Sequence, residues 1–75
     1  MQELIEYIAR SLVENPNQVR VSTHRSGSNL YIDVTAASGD LGRLIGRRGR
    51  TAQAIRSVAK VAGARQGLRV TIDID

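Results

Sequence analysis

Cysteine, tryptophan and phenylalanine are all missing from this 75-residue chain, which also has a single proline, a single histidine and two tyrosines. Without cysteine there is no disulfide framework and no thiolate metal site. Tyr7 and Tyr31 alone cannot make the exposed aromatic row on which an RNA-recognition-motif sheet or an OB barrel stacks bases. Tyr31 falls on the polar side of its run and reads as a partly exposed cross-strand residue. No apolar run approaches the ~20 residues of a membrane span. The opening Met1-Gln2-Glu3-Leu4-Ile5-Glu6 is acidic where a secretory signal is basic, so the expected location is cytoplasmic, away from membranes. His24 has no acidic cluster beside it in sequence and reads as a solvent-facing strand residue. The carboxylate pairs Glu3/Glu6 and Asp73/Asp75 suit a helix start and a solvated strand face. No nucleophile–base pair can be named. The expectation is therefore a protein with no catalytic residue, no metal and no cofactor, and not an enzyme.

What is present is a short chain with its charge in one place. The length allows one domain, residues 1–75, and a domain of this size buries only ~60% of its unfolded surface. Hydrophobic residues make up 41% of the chain, too many for disorder. The formal net charge is +4, with ten arginines among eleven basic residues. Residues 38–66 hold seven of these, Arg43, Arg47, Arg48, Arg50, Arg56, Lys60 and Arg65, against Asp40 alone. The parts on either side each have one more acid than base. A basic patch so localised fits a polyanion partner, most often nucleic acid, or, more plainly, a solubilising surface.

Periodicity divides the chain into six elements. Leu4, Ile5, Ile8 and Leu12 form one stripe of a helix over 3–14, with Glu3 and Glu6 at the end where the helix dipole favours acids. Asn15-Pro16 should end it. Val19, Val21 and Thr23 alternate with Arg20, Ser22 and His24, and Leu30, Ile32 and Val34 alternate with Tyr31, Asp33 and Thr35: two strands, each with one buried face. Ser26-Gly27-Ser28-Asn29 reads as the hairpin turn between them. Ala36-Ala37-Ser38-Gly39 breaks the pattern. Asp40 is placed to cap a short helix through Ile45. A second helix is expected over 50–62, with Gly63 as its C-cap. Leu68, Val70, Ile72 and Ile74 alternate with Arg69, Thr71, Asp73 and Asp75 in a last strand. The order α-β-β-α-α-β, with a helical crossover from the second strand to the third, makes those two strands parallel. The predicted fold is a two-layer α+β domain: a three-stranded mixed sheet with its helices on one face.

The segment Leu44-Ile45-Gly46-Arg47-Arg48-Gly49-Arg50-Thr51-Ala52 carries the chemistry. Two glycines three residues apart let the backbone turn sharply between helices and let another backbone come close. The turn feeds a helix N-terminus, where unpaired N–H groups and the dipole favour anions. Arg47, Arg48 and Arg50 add guanidinium forks that match phosphate geometry. The plainer alternative is a helix corner whose glycines serve the turn alone. Gly42, Gly46 and Gly49 fit neither G-x-x-x-x-G-K-[ST] nor G-x-G-x-x-G, so no nucleotide-cofactor motif is met.

With these residues in view, the chain resembles a KH domain of type II topology over essentially its whole length. Ile45-Gly46-Arg47-Arg48-Gly49 matches that family's I-G-x-x-G signature. Glu14-Asn15-Pro16, the Gly42 to Ala52 run and Val70-Thr71-Ile72-Asp73 are similar to the small single-domain bacterial RNA-binding KH proteins of the KhpA family. The resemblance implies binding of about four nucleotides of single-stranded RNA in a narrow groove. Gly46, Arg47, Arg48 and Gly49 would clamp phosphates and Ile45 would floor the bases. Arg43, Arg50 and Gln53 would flank the loop. It also implies an RNA chaperone or post-transcriptional regulator.

A second surface follows from the 50–62 helix. At about 100° per residue from Arg50, Val61, Ala54 and Val58 fall near 20°, 40° and 80°, and Ala62, Ile55, Ala59 and Ala52 near 120–200°. That apolar arc is wider than the roughly 100° one core needs. Ile55, Ala59, Ala52 and Ala62 can face the sheet. Ala54, Val58 and Val61 are left to pack on the first helix or on another molecule. The resemblance implies the latter, as a homodimer or a heterodimer with a larger KH-containing protein. The rival to RNA binding is therefore a dimerising protein-interaction adaptor, with RNA incidental.

Overall fold

Alternation in the three apolar runs decides the architecture. A computed structural model of the protein describes residues 1–74; Asp75, expected on the outer face of the last strand, lies outside them. Helix α1 spans Gln2–Leu12, strand β1 Arg20–Ser26, strand β2 Asn29–Thr35, helix α2 Leu41–Ile45, helix α3 Arg50–Ala64 and strand β3 Arg69–Ile74. Single 3-10 turns occupy Pro16–Gln18 and Arg47–Gly49. The sheet order is β1-β2-β3. β1 and β2 are antiparallel in a tight hairpin that pairs Ser26 with Asn29, and Gly27 turns it at φ +60°. β2 and β3 are parallel, Leu30 against Val70 and Ile32 against Ile72. The fold is the α+β arrangement expected, with a three-stranded mixed sheet.

One face of the sheet is dry. Val21, Leu30, Ile32, Val34, Val70 and Ile72 are buried there, under Ile5 and Ala9 of α1, Leu44 of α2, and Ile55 and Ala59 of α3. Each larger aliphatic among them contributes about 1.5–3 kcal/mol through removal from water. Their alternates, including Ser22, Tyr31, Asp33 and Thr71, are exposed. Thr23, expected on the buried face, is also exposed, because β1 buries only Val21 and its second half is uncovered.

Three local expectations change. α1 ends at Leu12, two residues early, and Val13 is extended at φ −111° and ψ 162°. Asp40 stands at the N-cap position of α2 but its side chain does not cap that helix. Its carboxylate instead accepts the backbone N–H groups of Glu14 at 3.1 Å and Asn15 at 2.9 Å, and the Asn15 side-chain amide at 3.1 Å. It satisfies the chain leaving α1, which stops α1 before the proline can. Gly63 is not a C-cap either: α3 runs on to Ala64, and Gly63 is buried within it. A Cβ on Gly63 would sit 2.3 Å from Val70 Cγ2 and 3.2 Å from the Leu68 carbonyl oxygen. Glycine is there because α3 presses onto β3.

Candidate nucleic-acid interface

The loop between α2 and α3 is built from two glycines with different tasks. Gly46 leaves α2 at φ +75°, its N–H still bonded to Gly42 O at 2.8 Å. A Cβ there would meet Thr51 Oγ1 at 2.2 Å, so the loop folds tightly over the first turn of α3. Gly49 takes φ +72° with open space around it, and its need is conformational alone. Its N–H returns to Gly46 O at 3.1 Å. Between them Arg48 adopts φ 58° and ψ 26°, the one described non-glycine residue with positive φ. An arginine in this region carries backbone strain of order 1–2 kcal/mol, maintained by turns closed on both sides.

The outcome is a knuckle that presents cations. Arg47, Arg48, Arg50 and Gln53 are exposed, and Ile45 is 37% exposed despite its apolar side chain. The N-terminus of α3 has no side-chain cap and no acid in its first turn. That end of the helix attracts anions. Ile45, Arg47, Arg48, Arg50 and Gln53 are thus all exposed where α2 passes to α3, and Arg50 also lines the hollow beside Ile8 and Leu12.

Arg43 stands apart from them. It lies on α2 a turn before Gly46, and its guanidinium contacts the Glu14 carboxylate and lies 3.5 Å from Asp40. Asp40 is 2% exposed. Its burial opposes ionisation, but the N–H groups of Glu14 and Asn15, the Asn15 side chain and the Arg43 charge outweigh it and hold its pKa below the ordinary carboxylate value.

The structure adds residues that motif reading passes over. Beside the free edge of β3 is a hollow of about 150 Å³ lined by Arg56, Lys60, Val70, Thr71 and Ile72. Arg56 Nε donates to Ile72 O at 3.3 Å. Arg69 N–H points to the β2 side, bonded to Ser28 O at 2.8 Å. By the strand's period of two, Val70 and Ile72 turn their backbone groups outward into that hollow. A signal for the two cations is present in the sequence. Gln53, Arg56 and Lys60 fall within about 60° of one another at 100° per residue, on the far side of α3 from its apolar arc.

Ala52, Ile55 and Ala59 of α3 are buried and Ala62 is half-buried, as expected. Ala54 is exposed, Val58 is 45% and Val61 59% exposed. Open hollows flank Val58, one lined with Ile8, Leu12 and Ala54, the other with Val61, Ala62 and Arg65. α1 therefore leaves this edge uncovered. Among the described residues, no three His, Cys, Asp or Glu are grouped to hold a metal ion, and no helix is long and apolar enough to cross a membrane.

Comparison with known proteins follows the same lines. The family model described as "KhpA/KhpB, KH domain" matches residues 2–74. The chain is 46% identical over 74 residues to the RNA-binding protein KhpA of Halalkalibacterium halodurans, covering 99% of this chain and 97% of that protein. It is 39% identical over 74 residues to the protein of the same name from Clostridium acetobutylicum, covering 99% of each. The likeness to that of Streptomyces coelicolor is 37% over 76 residues, covering 100% of this chain and 95% of the other.

Proposed function

Because this chain belongs to the KhpA/KhpB KH-domain family, we propose that it binds single-stranded RNA, with the Gly46–Gly49 loop gripping the phosphate backbone. The observation that carries this reading is the knuckle itself: exposed Arg47 and Arg48 held over the uncapped start of α3. The relatives named above are called RNA-binding proteins, and the reading extends that property to this chain. Arg47 and Arg48 engage phosphates, Ile45 lies under the bases, and Arg50 and Gln53 flank the strand. The hollow beside β3 offers outward backbone groups to base edges. With two tyrosines and no other aromatic, recognition rests on charge and backbone contacts more than on stacking. The role that follows is non-catalytic and cytoplasmic, that of an RNA chaperone or post-transcriptional regulator with weak sequence preference.

Arg47→Asp combined with Arg48→Asp tests the reading, because both side chains are exposed and the fold does not need them. RNA affinity is expected to collapse while the unfolding transition stays in place. If about three phosphates are engaged, log K for the unaltered protein falls against log salt with slope about −2. Unchanged binding by the double variant refutes the proposal.

A second reading is supported by the bare edge of α3. Small Ala54 beside exposed Val58 and Val61 suits close approach of another helix. The proposal is that this edge joins two copies, or this chain and a larger KH-containing protein. Val61→Asp is expected to leave a folded monomer in analytical ultracentrifugation. A wild-type protein that stays monomeric at high concentration removes this second reading.

A further inference from the structure

We propose that Glu14 is an internal competitor for RNA phosphate: its carboxylate occupies the Arg43 guanidinium in the free protein and gives it up when RNA arrives. This inference rests on the loop's reading as the RNA site and adds a residue that sets its affinity.

Three observations carry it. First, Arg43 is near the loop in the chain, although in the free protein its guanidinium is turned to Glu14. Residues three and four apart are neighbours on a helix surface, and the helical bonding of α2 continues through Gly46 N–H to Gly42 O. Arg43 therefore stands one helical turn before Gly46, where the chain leaves α2 for the loop. Second, its present partner is weakly committed. The side chains of Arg43 and Glu14 are 50% and 69% exposed. Such an exposed pair contributes little and opens readily. A phosphodiester offers the same guanidinium an equivalent anion with the same fork geometry.

Third, opening the pair leaves no buried group without hydrogen bonds. Asp40, the other acid beside Arg43, keeps its three hydrogen bonds from Glu14 N–H, Asn15 N–H and the Asn15 amide. Those same bonds hold the backbone of Glu14 whether or not its carboxylate has a partner. The design separates a permanent structural acid, Asp40, from an exchangeable one, Glu14. Arg43 can swing from one anion to another without disturbing α1 or α2.

The test is a cycle of variants read by fluorescence anisotropy with a labelled oligouridylate. Glu14→Gln keeps the backbone bonds to Asp40 and removes the competing charge. It is expected to tighten RNA binding about two- to fivefold, the range for release of an exposed ion pair. Arg43→Gln is expected to weaken binding and make the salt slope shallower by about 0.7. In the Arg43→Gln background, Glu14→Gln is expected to change nothing further. Glu3→Gln, with the same change in net charge at an exposed position on α1, controls for long-range electrostatics and is expected to leave affinity as it is. Absence of tightening in Glu14→Gln overturns the inference, and so does a gain of equal size in the Arg43→Gln background or in Glu3→Gln. If Arg47→Asp with Arg48→Asp abolishes binding while Glu14→Gln does nothing, the competitor fails and the loop reading stands. If the arginine pair does not matter, the loop reading itself has failed.

Discussion

Gly63→Ala sets two effects against each other inside α3. In an exposed helix interior, alanine in place of glycine stabilises by about 0.8–1 kcal/mol, because glycine loses more backbone freedom on folding. At Gly63 the added Cβ would lie 2.3 Å from Val70 Cγ2. Carbon atoms in contact rest at about 3.5–4.0 Å, so more than an ångström of overlap must be relieved. Val70 is buried at 5% exposure and, being β-branched, has few χ1 alternatives. The Leu68 carbonyl oxygen, 3.2 Å from the same Cβ, is backbone and leaves it little further room. Relief must come from lifting α3 off β3, which loosens the contact of Ile55 and Ala59 with the sheet. Overpacking of this kind costs about 1–3 kcal/mol, and the size of the overlap argues for the upper end. The net expectation is destabilisation by about 2 kcal/mol, a sizeable part of the roughly 4–11 kcal/mol available to a domain of this length. Urea unfolding followed by circular dichroism should show the midpoint falling by about 1–2 M for a small protein's slope. Val70→Ala in the same chain should recover part of the loss, a coupling characteristic of touching residues. A Gly63→Ala protein as stable as the parent, or more so, refutes the argument and returns Gly63 to the role of a simple helix terminator.

The remaining predictions concern the loop and its support. Arg48→Asn should raise stability by about 0.5–1 kcal/mol, because asparagine tolerates positive φ where arginine is strained; a thermal midpoint a few degrees higher, with weaker RNA binding, is the expected pair of results, and a lower midpoint contradicts it. Asp40→Asn should lower the urea midpoint at neutral pH, since an amide cannot accept at both positions where Asp40 accepts now. The Asp40 pKa lies below its ordinary 3.8 in the folded state, so its stabilisation is present above that value and is lost as pH falls through the folded pKa. The parent should therefore lose stability on acidification below about pH 4, and Asp40→Asn should lack that part of the loss; an unchanged acid limb counts against the assignment.

The sheet was legible because its signal is local. Val70-Thr71-Ile72-Asp73 announces a strand with one dry face by alternation alone, and the parallel partner follows from the helical crossover. The loop was legible for a similar reason: Gly46 and Gly49 both require special backbone, and the arginines lie between them. Residues whose role depends on a distant neighbour were not legible. Asp40 precedes a helix, where a cap is the ordinary expectation, but its carboxylate turns to the chain leaving α1, far away in sequence. Gly63 comes near the end of a helical pattern, where a C-cap and a close approach look alike. Only the position of Val70 tells them apart. Arg43 reads as one more cation near the motif until Glu14 is seen against it. Arg56 and Lys60 join the candidate site only once β3 is known to lie beside them with its free edge.

The crossover between β2 and β3 also has a temporal meaning. The arginine loop lies in the middle of that connection, and β3, the element of the fold latest in sequence, supplies the strand on which α3 presses through Gly63. As the chain emerges from a ribosome, Arg47 and Arg48 are therefore made well before the strand that holds their helix in place. Until β3 pairs in parallel with β2, α3 lacks the surface of Val70 onto which Gly63 presses. On the proposed RNA reading, the geometry that would distinguish a grip on the backbone from loose electrostatic attraction is complete only once β3 has paired. A chain that stops short of β3 carries the whole basic segment but lacks the strand against which Gly63 seats α3.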